Sequence, residues 1–288
     1  MPRSVPGASL DWSPMAVLSA ARTVPRGARN YLRELWARRE FAWYMAMGRI
    51  KARNASTALG LLWWVLNPLL LGLVYFVVFG LILGVSRDLS YLLSGMFVFY
   101  YTSTAMTGGA NAVISNSKLL VNLRFPRLIL PFEAMIEAGV GFLASVVAFY
   151  AIVGPAEGVL PPKRIVVLLP AAFLLHSIFN FGLATATARI AVPFRDVNNF
   201  IPYLLRLWLY LSPIIYSLEY LEKRLSPEML RFFHLNPLVP FLSLYRSALL
   251  GYRFRPDDLL SAALWAVGVT VVAVAAFVRY EGKMARYL

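Results

Sequence analysis

Six apolar runs dominate the sequence, at residues 58–83, 89–107, 132–153, 165–188, 201–216 and 259–278. An α-helix needs about 20 mostly apolar residues to cross the ~30 Å hydrocarbon core of a bilayer. Inside lipid every backbone polar group must be satisfied within the segment, so runs of this length predict helices. The expected fold class is an all-α integral membrane protein with six transmembrane helices. Composition agrees: of 288 residues 59% are hydrophobic and 15% charged, with a mean hydropathy of +0.64. Soluble domains carry roughly 25% charged residues, and disorder needs low hydrophobicity with high charge. Both classes are excluded.

The runs differ in detail. The first contains Asn67-Pro68, which predicts a kink or a freed carbonyl. The fifth is short and bounded by Pro202 and Pro213. Six crossings put both termini on one side, and Lys and Arg are retained on the cytoplasmic side of a membrane. The side holding the termini carries eighteen Lys and Arg near the spans, the other side nine. Both termini are therefore expected in the cytoplasm, with external turns at 85–90 and 155–164. The same bias accounts for the net charge of +14 without a nucleic-acid partner. No cleavable signal peptide is expected, because the first 57 residues hold no continuous apolar stretch.

Outside the runs, residues 1–28 carry Pro2, Pro6, Pro14 and Pro25 and read as a flexible cytoplasmic tail. Residues 29–53 predict an amphipathic helix. Leu32, Leu35, Trp36, Trp43, Met47 and Ile50 share one face, and Arg33, Glu34, Arg38, Glu40, Arg49 and Lys51 lie mostly opposite, with Arg39 at the apolar edge. Such a helix lies in the headgroup plane; a helix packed on another subunit is the alternative. Residues 54–288 form the transmembrane domain. Within 217–258, the apolar stretch 237–250 is too short to cross and reads as a re-entrant or interfacial element. Asn236 suits its cap and Pro237 its first turn.

The chain contains no G-x-x-x-x-G-K-[ST] loop, so it is not by itself an ATPase of that class. It has no cysteine, which removes disulfides, thiolate nucleophiles and Cys-based metal sites. His176 and His234 are far apart and fit no metal-ligand spacing, and no G-x-S-x-G elbow exists. No catalytic residue and no metal site are expected.

Ionisable groups inside spans are costly and draw attention to function. Arg206 shares a helical face with Tyr203, Tyr210 and Pro213. Two readings stand: this strip lines a path for a hydroxylated or anionic substrate, or Arg206 snorkels or pairs with Glu137. Glu133 and Glu137 are expected to neutralise Arg124 or Arg127. The first run carries Trp63, Trp64, Tyr75, Phe76 and Phe79. Rings at span ends are usually interface anchors, which suits Trp63 and Trp64; rings deeper in a span also suit stacking on sugar faces.

Several segments, in order, resemble the ABC-2 type permeases that export polysaccharides such as O-antigen and teichoic acid. Trp64 to Pro68 with Tyr75-Phe76 and Val78-Phe79-Gly80 is similar to the family's first span, and Tyr91-Leu92-Leu93-Ser94-Gly95 to the opening of its second. Asn116-Ser117-Lys118-Leu119-Leu120, then Phe125-Pro126-Arg127 and Leu130-Pro131, resembles its cytoplasmic connector. Arg195-Asp196-Val197 resembles the loop before the fifth span, and Leu235-Asn236-Pro237-Leu238 with Arg246 the external motif before the last. The resemblance covers the chain from about Arg29; the longer, Pro-rich tail departs from it.

The resemblance implies a half-transporter in the bacterial cytoplasmic membrane. Its partners would be a second copy of itself, two copies of a separate ATPase subunit that binds ATP and Mg, membrane lipids and a lipid-linked polysaccharide. The chain itself would need no cofactor. The connector (Asn116, Lys118, Leu119, Arg124, Phe125, Pro126, Arg127) would couple to the ATPase. The helix bearing Arg33, Trp36, Arg38, Arg39 and Trp43 would touch the same subunit at the membrane. Asn236, Pro237 and Arg246 would belong to an external gate. Trp63, Trp64, Tyr75, Phe76 and Phe79 would line the channel, joined by Tyr203, Arg206 and Tyr210. Two other functions remain open: an ABC-2 permease for small molecules or drugs, and a membrane enzyme acting on lipid-linked sugars.

Overall fold

A computed structural model describes residues 28–54, 59–84, 88–117, 125–217, 220, 224 and 226–284. The helices, in order, are α1 (Ala28–Ala37), α2 (Arg39–Asn54), α3 (Trp63–Tyr75), α4 (Leu89–Ser115), α5 (Ile129–Glu157), α6 (Ile165–Ala191), α7 (Val197–Tyr210), α8 (Pro227–His234), α9 (Leu238–Leu249) and α10 (Pro256–Met284). No strand occurs among the described residues. After Tyr75, α3 continues as a wider turn over Phe76–Ile82, closed by the Leu83 N–H donating to the Val78 carbonyl five residues back at 3.0 Å.

Four of the helical segments among the described residues are long and apolar enough to cross a membrane: Trp63–Ile82, Ile129–Glu157, Ile165–Ala191 and Pro256–Gly282. The sequence reading expects six. Helix α4 is long enough, with 27 residues and a rise of about 40 Å, but Ser90, Ser94, Thr102, Ser103, Thr104, Thr107 and Asn111 dilute its apolarity. Helix α7 has 14 residues, a rise of about 21 Å, and ends at Tyr210 short of the expected 216.

Helix α4 is the centre of the bundle and packs on α5 and α6. Two of its polar side chains reach α6: the Thr102 hydroxyl lies 2.7 Å from His176 Nε2, and the Tyr101 hydroxyl 2.7 Å from Ser177 Oγ. Small residues let the backbones approach, as is usual between membrane helices. A Cβ at Gly109 would fall 2.4 Å from the Ala184 Cα, so no side chain fits where α4 crosses α6. A second apolar cluster gathers Val113, Leu128, Leu130, Ala188, Phe277 and Met284, joining the end of α4, the start of α5 and the ends of α6 and α10.

The segment 29–53 is two helices rather than one. The Arg39 Nη1 donates to the Trp36 carbonyl at 3.2 Å, taking an acceptor that a continuous helix would use, and Arg38 pairs back onto Glu34 at 3.1 Å. The break separates the expected apolar face. In α2, Ala42, Ala46 and Ile50 are buried against α5, while Trp43 stands at the edge of that face, 49% exposed, and Trp36 on α1 is 67% exposed.

Helix α9, in the stretch 237–250 expected to be re-entrant or interfacial, is buried on nearly every side among α4, α6 and α10, Arg246 and Ser247 included. Its first N–H groups are met by Asn236, whose Oδ1 accepts from the Leu238 N–H at 3.0 Å. The chain leaves α9 through Gly251, whose φ of +76° is open to glycine at little cost.

Candidate functional site

The aromatic and cationic residues singled out in the first and fifth runs fall into two separate groups. In the first, α3 meets α7. The Tyr75 and Tyr210 hydroxyls lie 3.3 Å apart with their rings edge to face at 6.2 Å, and Phe79 stands 5.9 Å from Tyr75. Phe76, like Tyr75 and Phe79, is partly buried against the core. Helix α7 is two-faced by its own period: Ile201, Leu205 and Leu209 are buried, and Tyr203, Arg206 and Tyr210 lie on the exposed face. Pro213, expected on the same strip, is buried. Glu137 is buried in α5 while Arg206 is exposed on α7. The outcome is an exposed band of phenols around one guanidinium.

The second group forms where α3 meets α4 and α5. Trp63, Trp64 and Asn67 join Tyr100, Tyr101, Thr104, Phe142 and Ser145 around a cavity of about 310 Å³. Trp64 lies flat on α5 because Gly141 has no side chain; a Cβ there would fall 2.4 Å from the indole. The Asn67 amide reaches toward the Tyr100 hydroxyl at 3.5 Å. This cavity combines stacking faces with neutral hydrogen-bonding groups, and no charged side chain lines it among the described residues. Nothing in the α4 and α5 sequences announced the contribution of Tyr100, Thr104 and Ser145.

At the opposite end from Gly251, where α4 ends and α5 begins, the connector is tied down from two sides. Phe125 makes an edge-to-face contact with Phe41 of α2, centroids 5.6 Å apart. The Arg127 backbone N–H donates to Glu281 Oε1 of α10 at 3.0 Å, and its guanidinium to the Glu281 carbonyl at 2.9 Å. Pro126 between them is buried. Asn116 finishes α4 by donating to the Ala112 carbonyl at 2.7 Å. Lys118, Leu119 and Arg124 lie outside the described residues, as does the tail before Ala28. The expected role of Glu133 is corrected: it is fully buried and pairs with Arg49 of α2 at 3.0 Å. Arg127 is already engaged by Glu281, a residue the sequence reading missed because 154 positions separate the two. Arg33, Trp36, Arg38 and Arg39 are exposed on the α1–α2 surface, with Arg39 over the Trp36 ring at 5.2 Å.

At the far end, Asn236 joins α7 to α9. Its Oδ1 also accepts from Trp208 Nε1 at 2.9 Å, and its amide donates to the Leu211 carbonyl at 3.0 Å and Ser212 Oγ at 2.9 Å. Pro237 is half-buried beside it, and Arg246 is buried one helix length away.

Comparison with known proteins adds two findings. Residues 40–250 match the ABC-2 type transporter family. The O-antigen export system permease protein RfbA of Myxococcus xanthus is 30% identical over 84% of this chain and 92% of its own length. A protein of the same name from Klebsiella pneumoniae is 24% identical over 83% of this chain and 91% of its own.

Proposed function

The chain belongs to the ABC-2 type transporter family, and from that premise we propose that it is the permease subunit of an ABC transporter that exports a polysaccharide, carried on a lipid, across the bacterial cytoplasmic membrane. The names of relatives aligned over most of their length support the cargo class. Two copies form the conduit, and two copies of a separate ATPase supply the energy. In this reading α4 and α7 cross the membrane along with the four longer apolar segments, and both termini face the cytoplasm. Ser90, Ser94 and Thr102 of α4 are buried against its neighbours, which suits a polar helix to the bundle interior.

The observation that carries the reading is the exposed strip Tyr203, Arg206 and Tyr210 on α7, beside Tyr75 and Phe79. A guanidinium facing hydrocarbon in mid-helix is costly, so this face turns toward water between two copies. Phenol rings along such a path offer weak, interchangeable stacking contacts to successive sugar rings, which lets a polymer slide rather than lodge. Drive enters at the connector. Phe125, Pro126 and Arg127 link α2 and α10, so a push there moves several helices together. Exposed Trp36 and Trp43 suit the membrane–water interface.

The chain has no cysteine, so single thiols report exposure cleanly. In native membranes, Cys at Arg206 reacts with a water-soluble maleimide, whereas Cys at Leu264, exposed on α10, does not. Equal labelling at both positions, or none at 206, contradicts a water-filled path along α7.

A further inference from the structure

Arg246 on α9 is a buried cation with an unusual set of neighbours. The residue is 6% exposed, and its guanidinium carbon lies 3.5 Å from the centre of the Tyr91 ring on α4. Tyr252 stands beside that ring, centroids 6.3 Å apart. Two of the three guanidinium nitrogens, Nε and Nη2, are buried with no hydrogen-bond partner, and no ion pair to Arg246 occurs among the described residues. Cation–π contact offsets part of the lost hydration, but buried donors left without acceptors are rare and costly.

The pair left open is informative. Nε and Nη2 lie on the same edge of the guanidinium, and their N–H groups project in parallel. That edge is the fork that grips two oxygens of one anion. The α4 backbone lies close against the fork: a Cβ at Gly95 would stand 3.0 Å from Nη2 and 3.1 Å from Ile214 Cγ2. Tyr91 covers the group, and the covering ring is tethered. Its hydroxyl lies 3.3 Å from the Pro213 carbonyl and 3.2 Å from the Tyr216 carbonyl, in the chain that follows α7. The ring is therefore held by the segment that any rearrangement of α7 would carry with it.

Depth selects among anions. Gly95 is six residues beyond Leu89, the start of α4, or about 9 Å along the helix. For a helix crossing the bilayer, that is close to the level of the lipid headgroups, where the abundant oxyanion is phosphate. We propose that Arg246 is a binding site for a phosphate or pyrophosphate group, covered in this structure by the Tyr91 ring and opened when that ring swings away. The group comes either from a membrane lipid headgroup or from the lipid carrier of the cargo. The carrier source rests on the export reading, whereas the test reads binding and not transport, so the two can fail separately.

The experiment uses the full-length chain purified in a phosphate-free maltoside detergent. Its thermal unfolding is followed by tryptophan fluorescence against increasing inorganic pyrophosphate, with sulfate at equal ionic strength as control. Wild type shows a saturable rise in midpoint with pyrophosphate. Arg246→Gln weakens the apparent affinity at least ten-fold, and Tyr91→Phe, which frees the ring from both carbonyls, tightens it several-fold. Repeating the titration in phosphatidylglycerol nanodiscs separates the sources: a response lost there assigns the site to headgroup phosphate, and a response kept there assigns it to the cargo's carrier. No saturable response in wild type, or an equal one in Arg246→Gln, overturns the proposal. If Arg246→Gln does not fold, a Tyr91→Phe response no tighter than wild type overturns it alone.

Discussion

Arg127 and Glu281 hold each other twice, through the Arg127 backbone N–H to the Glu281 carboxylate at 3.0 Å and through its guanidinium to the Glu281 carbonyl at 2.9 Å. One contact fixes the backbone of the connector and the other fixes its side chain, so the connector and the end of α10 move as a piece. Glu281→Ala removes the carboxylate acceptor of a part-buried N–H, a cost of about 1 kcal/mol. Export is expected to fall at least five-fold while the amount of inserted permease stays near wild type, measured by glycan export against immunoblot of membranes. Unchanged export removes α10 from the drive.

The double replacement of Phe125 and Arg127 by Ala acts on the same piece from the other side. It strips the edge contact to Phe41 and the guanidinium bond. ATP hydrolysis by the assembled transporter is expected to continue with export lost. A variant that exports normally denies the connector its coupling role.

Arg49 and Glu133 give a double-mutant cycle. Glu133 is fully buried, and Arg49 is 31% exposed at 3.0 Å. Arg49→Met strands a buried carboxylate, for which about 3 kcal/mol is expected. Adding Glu133→Met should restore at least half of the lost thermal midpoint in detergent, because an apolar pair needs no hydration. A double variant whose loss equals the sum of the two single losses would show that the pair is not coupled.

Two glycines distinguish packing from propensity. Gly109→Ala forces a methyl to 2.4 Å from the Ala184 backbone, whereas Gly268 on α10 has nothing within 4 Å of its Cβ position. The first is expected to lower stability by about 1–3 kcal/mol and the second to be neutral or slightly stabilising. Equal effects on the unfolding midpoint would mean that the α4–α6 crossing relaxes freely.

Replacing Tyr75 and Phe79 together by Ala leaves Tyr210 without its partner hydroxyl and removes two rings from the α3–α7 band. Export is expected to drop more than membrane insertion does, read from export rate per inserted copy. A parallel drop in both assigns these rings to packing.

Much of this fold was legible because apolar length is a strong signal. The runs at 132–153, 165–188 and 259–278 sit inside α5, α6 and α10. Helix α7 was harder: its period marks Tyr203, Arg206 and Tyr210 as one face, yet a run that continues through Pro213 to 216 does not tell where the helix stops, and it stops at Tyr210. The capping role of Asn236 was readable from the Asn-Pro pair, but its bonds to Trp208, Leu211 and Ser212 depend on α7 and α9 meeting in space. The split at Arg38 was hidden, since no Pro or Gly marks it and an arginine side chain supplies the cap. Long-range partners were hidden too. Local charge pairing pointed Glu133 toward Arg124 or Arg127, whereas tertiary packing brings Arg49 to it.

On the proposed function, this chain moves a glycan with energy delivered by another chain. The most direct measurement is vesicle reconstitution with and without the ATPase subunit, supplying a lipid-linked glycan on one face and scoring ATP-dependent appearance on the other. Translocation is expected only when both subunits and ATP are present, with no hydrolysis by this chain alone. Hydrolysis by the isolated chain, or ATP turnover by the complete assembly with no glycan moved, would contradict it.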